Sequence, residues 1–133
     1  MAAISYKFLV VDDSKVDRLI ACVLLKTKFD EKNIFAVDSV DNAIVWLLEN
    51  RNDIRSKLII LLDVRMPDAG GFGFLHAYDT LEENIKAKTS ILMLSSTLDP
   101  NDLDLVSSHK DVKGFLSKPL NMDQLLECLR SKK

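Results

Sequence analysis

Leu58-Ile59-Ile60-Leu61-Leu62-Asp63-Val64-Arg65-Met66-Pro67 is the stretch that decides the fold. Five apolar residues end abruptly in a carboxylate. Turn residues follow at once, Met66-Pro67-Asp68 with Gly70-Gly71 behind them. A short apolar run bounded by turn residues reads as a strand buried on both faces. In open α/β sheets, ligands bind just beyond the carboxyl ends of such strands. Asp63 occupies that position, so the other strands should deliver compatible groups to the same edge.

They do so in order. Lys7-Phe8-Leu9-Val10-Val11-Asp12 is a first strand that also ends in carboxylate, and Asp13 and Ser14 then supply N-cap chemistry. The spacing of Val16, Leu19, Ile20, Val23 and Leu24 predicts a helix to about Phe29 that buries this stripe. Lys15, Asp17, Arg18, Lys26 and Lys28 are assigned to its polar side. Asn33 to Val37 is a second strand. Ser39 or Asp41 opens a second helix striped by Val40, Ala43, Ile44, Leu47 and Leu48, with Trp46 half exposed. After the Asp63 strand, a third helix is expected from Gly70 to about Leu81, with Phe72, Leu75, Ala77 and Tyr78 as its contacts. A polar segment from Glu82 to Ser90 leads to a fourth strand, Ile91 to Leu94, ending at Ser95-Ser96-Thr97. A short fourth helix follows Pro100. Val112 to Leu116 is the fifth strand, ending at Ser117-Lys118-Pro119, and Asn121 caps a last helix carrying Met122, Leu125, Leu126 and Leu129. Strands that alternate with helices imply a parallel sheet with right-handed crossovers, hence an α/β fold.

The 133 residues suit one domain, 1–133, with a proper hydrophobic core. The net charge of −2 gives no reason to expect a nucleic-acid partner. No apolar run approaches the length of a membrane helix, and the N-terminus lacks the layout of a signal peptide. Cys22 and Cys128 lie in apolar helical patterns and read as buried, reduced thiols. A cytoplasmic location is the expectation.

In a parallel sheet the strand ends converge on one edge. That edge would gather Asp12, Asp13, Asp63, Ser95 and Lys118. Close carboxylates raise one another's pKa, and a hard divalent cation such as Mg²⁺ relieves the repulsion. Lys118 and Ser95 suit a phosphate, as a point charge and a hydrogen-bond donor. A carboxylate can itself act as nucleophile and form an aspartyl-phosphate. Each residue alone has an ordinary explanation as a cap, a turn residue or a solvated lysine. The ordered set, each member at a strand's carboxyl end, is what carries the chemistry. Arg65 and Thr97, each two residues past a site residue, should flank the approach of water to a phosphate there.

This set resembles the receiver domain of two-component response regulators, over Phe8 to Leu129. The matching residues are the acidic pair Asp12-Asp13, Asp63 before Val64-Arg65-Met66-Pro67, Gly71, Ser95, Phe115 and Lys118-Pro119. Ala69-Gly70 departs from the usual residues before that glycine. The resemblance implies a doubly wound, five-stranded parallel sheet of flavodoxin-like (βα)5 form with strand order 2-1-3-4-5. It implies that Asp63 accepts a phosphoryl group from a sensor histidine kinase or a phosphotransfer protein. Mg²⁺ would be bound by Asp13, Asp63 and the Arg65 backbone carbonyl, with Asp12 acting through water. Lys118 and Ser95 would contact the phosphoryl group, and Lys118-Pro119 would be cis. Ser95 and Phe115 would form a switch that alters the surface of the fourth helix, fifth strand and last helix for a downstream protein target. Such a domain is a signalling switch that catalyses only its own phosphorylation and dephosphorylation.

Two other readings compete with this one. A phosphohydrolase of the haloacid-dehalogenase type needs a second Asp two residues after the nucleophile, where this chain has Arg65 or Ser14. A flavodoxin-like nucleotide binder needs a phosphate-cradling loop after strand one, where Asp12-Asp13 would repel phosphate.

Overall fold

The structure, a computed structural model, describes residues 6–54, 57–66, 70–95 and 109–131. Strands β1 (Tyr6–Val11), β2 (Ile34–Val37), β3 (Lys57–Asp63), β4 (Thr89–Ser95) and β5 (Val112–Ser117) form one sheet in the order β2-β1-β3-β4-β5. Every pairing is parallel. The described helices are α1 (Lys15–Leu25), α2 (Val40–Asn50), α3 (Gly70–Tyr78), the single turn α4 (Glu83–Lys86) and α5 (Met122–Ser131). This is the α/β architecture and strand order expected. The helix expected after Pro100 falls outside the described residues.

The apolar run of β3 explains the layering. Successive side chains of a strand point to opposite faces. Leu58, Ile60 and Leu62 join one core with Val40, Ala43 and Leu47 of α2 and Phe74, Leu75 and Tyr78 of α3. Ile59 and Leu61 join a second core with Ala21 and Leu25 of α1 and Leu125 of α5. Residues 58–62 are all fully buried, so both faces of the central strand are covered. Burying each such side chain contributes about 1.5–3 kcal/mol.

α1 corrects the sequence reading. The predicted face is turned to solvent: Val16 and Leu19 are each 63% exposed, and Ile20 and Val23 are exposed as well. The buried face carries Ala21 and Leu25, with Cys22 and Leu24 packed at its margin. Asp17 and Arg18, assigned to the polar side, lie on this inward face and are only partly exposed. The cause is that both polar residues are bound at the sheet edge. Periodicity counts them as solvent groups and therefore places the helix half a turn wrong. The helix also ends at Leu25 rather than near Phe29, and Phe29 instead packs on Phe8 with ring centroids 4.5 Å apart.

Smaller differences follow from packing. In α3, Leu75 and Tyr78 are buried as expected, but Phe74 is buried in place of Phe72, which is exposed, and the helix stops at Tyr78. The Tyr78 hydroxyl donates to Asp111 Oδ2 at 3.0 Å, tying the end of α3 to the approach to β5. The segment read as merely polar contains α4, which buries Ile85. Leu48 of α2 is 40% exposed rather than core. Ser39 and Asn121 cap α2 and α5, accepting from the backbone N–H groups of Asn42 and Gln124. Burial raises the pKa of both cysteine thiols, and neither is in a disulfide. Among the described residues, no helix is long and apolar enough to cross a membrane.

Candidate functional site

The site is built where β1, β3, β4 and β5 end. Asp12 follows β1 and is 2% exposed. Its backbone N–H donates to Val37 O at 3.2 Å, and its Oδ1 accepts from Ser14 N–H at 2.9 Å. Ser14 alone is the side-chain cap of α1, since its Oγ accepts from Asp17 N–H at 3.2 Å. Asp13 is exposed and remains available to the site.

Asp63 ends β3 at 5% exposure. Its Oδ1 accepts from Arg65 N–H at 3.2 Å. Behind it, Val64 N–H donates to Leu94 O at 3.0 Å, and Gly71 N–H donates to Val64 O at 2.9 Å. The chain turns here through Gly70, whose φ of +67° is the left-handed region that favours glycine. Gly70 and Gly71 thus shape the turn beside Asp63. Ser95, 2% exposed, ends β4, and its carbonyl accepts from Lys118 N–H at 2.9 Å. Phe115 lies on β5 beside Met93 and packs, partly buried, against the α2–α3 core. The Lys118-Pro119 bond is cis, as expected.

Lys118 organises the charges. Its Nζ lies 2.8 Å from Asp12 Oδ2, 2.9 Å from Asp17 Oδ2 and 3.3 Å from Asp63 Oδ1. Burial works against the ammonium, but hydrogen bonds to Asp12 and Asp17 outweigh it and hold its pKa above the ordinary lysine range. Asp63 is pushed up to about 6, first by burial and then by the charge of Asp12, with Lys118 and Arg65 N–H opposing. A carboxylate that resists ionisation beside another is a group in need of a cation. Ligand oxygens of Asp12, Asp13 and Asp63 lie within 4.8 Å of one another, a donor set of hard oxygens that fits Mg²⁺.

Asp12, Asp13, Asp63, Ser95 and Lys118 therefore meet at one sheet edge, and Arg65 borders it. Thr97 lies outside the described residues. Sequence reasoning missed Asp17 and also Arg18, whose Nη1 donates to Asp12 O at 2.8 Å.

Comparison with known proteins bears on the family and the fold. The family described as "Response regulator receiver domain" matches residues 8–130. A response regulator receiver protein from Dyadobacter fermentans is 28% identical, with 96% of this chain and 97% of that chain covered and a TM-score of 0.77. A two-component response regulator from Cytophaga hutchinsonii is 25% identical, with 97% of each chain covered and a TM-score of 0.83. The receiver domain of the histidine kinase CKI1 from Arabidopsis thaliana, solved with Mg²⁺ and BeF3⁻, is 24% identical, with 94% and 87% coverage and a TM-score of 0.76. A search of curated proteins returned no significant match. With residues 8–130 matched and the fold shared, the chain belongs to the response regulator receiver domain family of two-component systems.

Proposed function

We propose that this single domain is a phosphorylatable switch and that Asp63 is its phosphoacceptor. The observation that carries this reading is the placement of a buried, hard-to-ionise Asp63 between an acidic pair and the Lys118 ammonium. In the reaction, a carboxylate oxygen of Asp63 attacks the phosphorus of a phosphohistidine. The O–P bond forms as the N–P bond breaks, and the electron pair leaves on the imidazole nitrogen, which takes up a proton. Asp13 and Asp63, with the Arg65 backbone carbonyl, would hold Mg²⁺, and Asp12 would act through water because Ser14 N–H and Lys118 already engage it. The bound ion supplies charge neutralisation for the phosphoryl group. Lys118 and the Ser95 hydroxyl donate to phosphoryl oxygens.

The donor is a histidine kinase or a phosphotransfer protein. The exposed apolar stripe Val16, Leu19, Ile20 and Val23 begins right beside the site and supports a protein donor over a small molecule. Phosphorylation draws Ser95 toward the phosphoryl group, Phe115 follows, and the surface near β5 and α5 changes for a downstream protein. The domain acts on no separate substrate.

Acetyl phosphate labelling followed by intact-mass analysis tests the assignment. Label on the wild type with Mg²⁺, none with chelator and none on Asp63→Asn is the expected pattern. An Asp63→Asn protein that labels as well as the wild type rules Asp63 out.

A further inference from the structure

Asp17 has no part in the acidic cluster of Asp12, Asp13 and Asp63, yet its carboxylate lies 2.9 Å from the Lys118 ammonium. An ammonium has three N–H donors. Three carboxylates surround this one, and the phosphoacceptor is the most distant: Asp12 at 2.8 Å, Asp17 at 2.9 Å and Asp63 at 3.3 Å. The first turn of α1 is locked in that pose. Ser14 Oγ accepts from the Asp17 N–H itself, and Arg18 grips the Asp12 carbonyl. The Lys118 side chain is 15% exposed, so water screens its partners only partly. A phosphoryl group arriving on Asp63 must therefore draw the ammonium away from a competing carboxylate. That same carboxylate also repels the arriving anion.

We propose that Asp17 is a positioning residue that holds Lys118 on the α1 side of the site and so weakens the grip of the site on an anionic phosphoryl group at Asp63. The proposal rests on the phosphoacceptor reading of Asp63. Asp17 acts through Lys118 and touches neither Asp63 nor the phosphoryl group in this account. Its removal has opposite effects on the two kinds of ligand. An anion gains an undivided ammonium and loses a repelling charge. A cation loses one nearby negative charge.

The test uses the whole chain and beryllofluoride as the phosphoryl mimic. Affinity is read by fluorine NMR at saturating Mg²⁺, and Mg²⁺ affinity is measured separately by calorimetry. Asp17→Asn keeps size and shape while removing the charge, and Asp17→Ser is a second neutral variant. Both should bind beryllofluoride more tightly, by roughly three- to tenfold, and bind Mg²⁺ more weakly. A change in packing alone would not drive the two affinities in opposite directions. Asp38→Asn is the control. Asp38 is an exposed carboxylate after β2 at the same sheet edge, bonded to Asn42. It should shift neither affinity. Beryllofluoride affinity in both Asp17 variants that is unchanged or weaker overturns the proposal. So does an equal gain in Asp38→Asn, which would make the effect one of overall charge. A wild type that takes no beryllofluoride at all refutes the phosphoacceptor reading instead, so the two failures are distinct.

Discussion

Asp12 and Asp63 end neighbouring parallel strands, and their carboxylates lie within 4.8 Å of each other, both almost fully buried. The charge of Asp12 adds to burial in raising Asp63 to about 6. An unfolded aspartate titrates near ~3.9. Folding therefore carries a cost at Asp63 that is fully present above pH 6 and vanishes as the pH falls below the unfolded value. In chelated buffer at pH 7, Asp63→Asn should be more stable than the wild type by about 1–3 kcal/mol. Urea melts at pH 7 and pH 4 check this, and most of the advantage should be lost at pH 4.

Asp13 is exposed, so it contributes little to packing. Asp13→Asn should leave the urea midpoint nearly unchanged. Its effect should fall on the cation, with Mg²⁺ affinity down by at least about tenfold, since even outer partners of metal ligands cost that much. Calorimetric titration of Mg²⁺ into both proteins measures it.

Gly71 has no room for a side chain. A Cβ there would lie 2.7 Å from Met93 Cε and 3.2 Å from Val64 Cα. The methionine can shift, but the Val64 backbone is held by its bonds to Leu94 and Gly71. Gly71→Ala should destabilise the fold by about 1–3 kcal/mol. Because Val64 directly follows Asp63, labelling by acetyl phosphate should slow as well. Equilibrium unfolding and labelling rates test the two effects separately.

Arg65 donates its backbone N–H to Asp63, and its side chain is exposed at the site border. A guanidinium there can hold a phosphoryl oxygen or lie across the path of water, and it offers no general base. The phosphorylated Arg65→Ala protein should lose its phosphoryl group faster than the wild type. Thr97→Ala should change the decay less. Decay of the labelled proteins after removal of the donor gives both rates.

Ser95 is buried at the end of β4, and Phe115 is partly buried two residues before the β5 partner of Ser95, Ser117. If Phe115 reports the state of Asp63, its ring resonances should move when beryllofluoride binds. Ser95→Ala should reduce that movement. An unchanged Phe115 environment in the wild type would count against the coupling and leave the phosphoacceptor assignment standing.

The strands, their order along the chain and the convergence of Asp12, Asp63, Ser95 and Lys118 were determined by the sequence alone. Continuous apolar runs have one stable use in an alternating pattern, as strands covered on both sides, and a parallel sheet sends all their carboxyl ends to one edge. Which side α1 buries was decided only in three dimensions. Apolar spacing reports where greasy residues cluster, not what the opposite side meets. On α1 the inward side meets the site, which satisfies Asp17 through Lys118 and Arg18 through the Asp12 carbonyl. Those two polar groups thus lie inward, and four large apolar residues of the same helix face solvent. The distances that rank Asp12, Asp17 and Asp63 around one ammonium arise from residues as far apart as 12 and 118, and only the closed sheet brings them together.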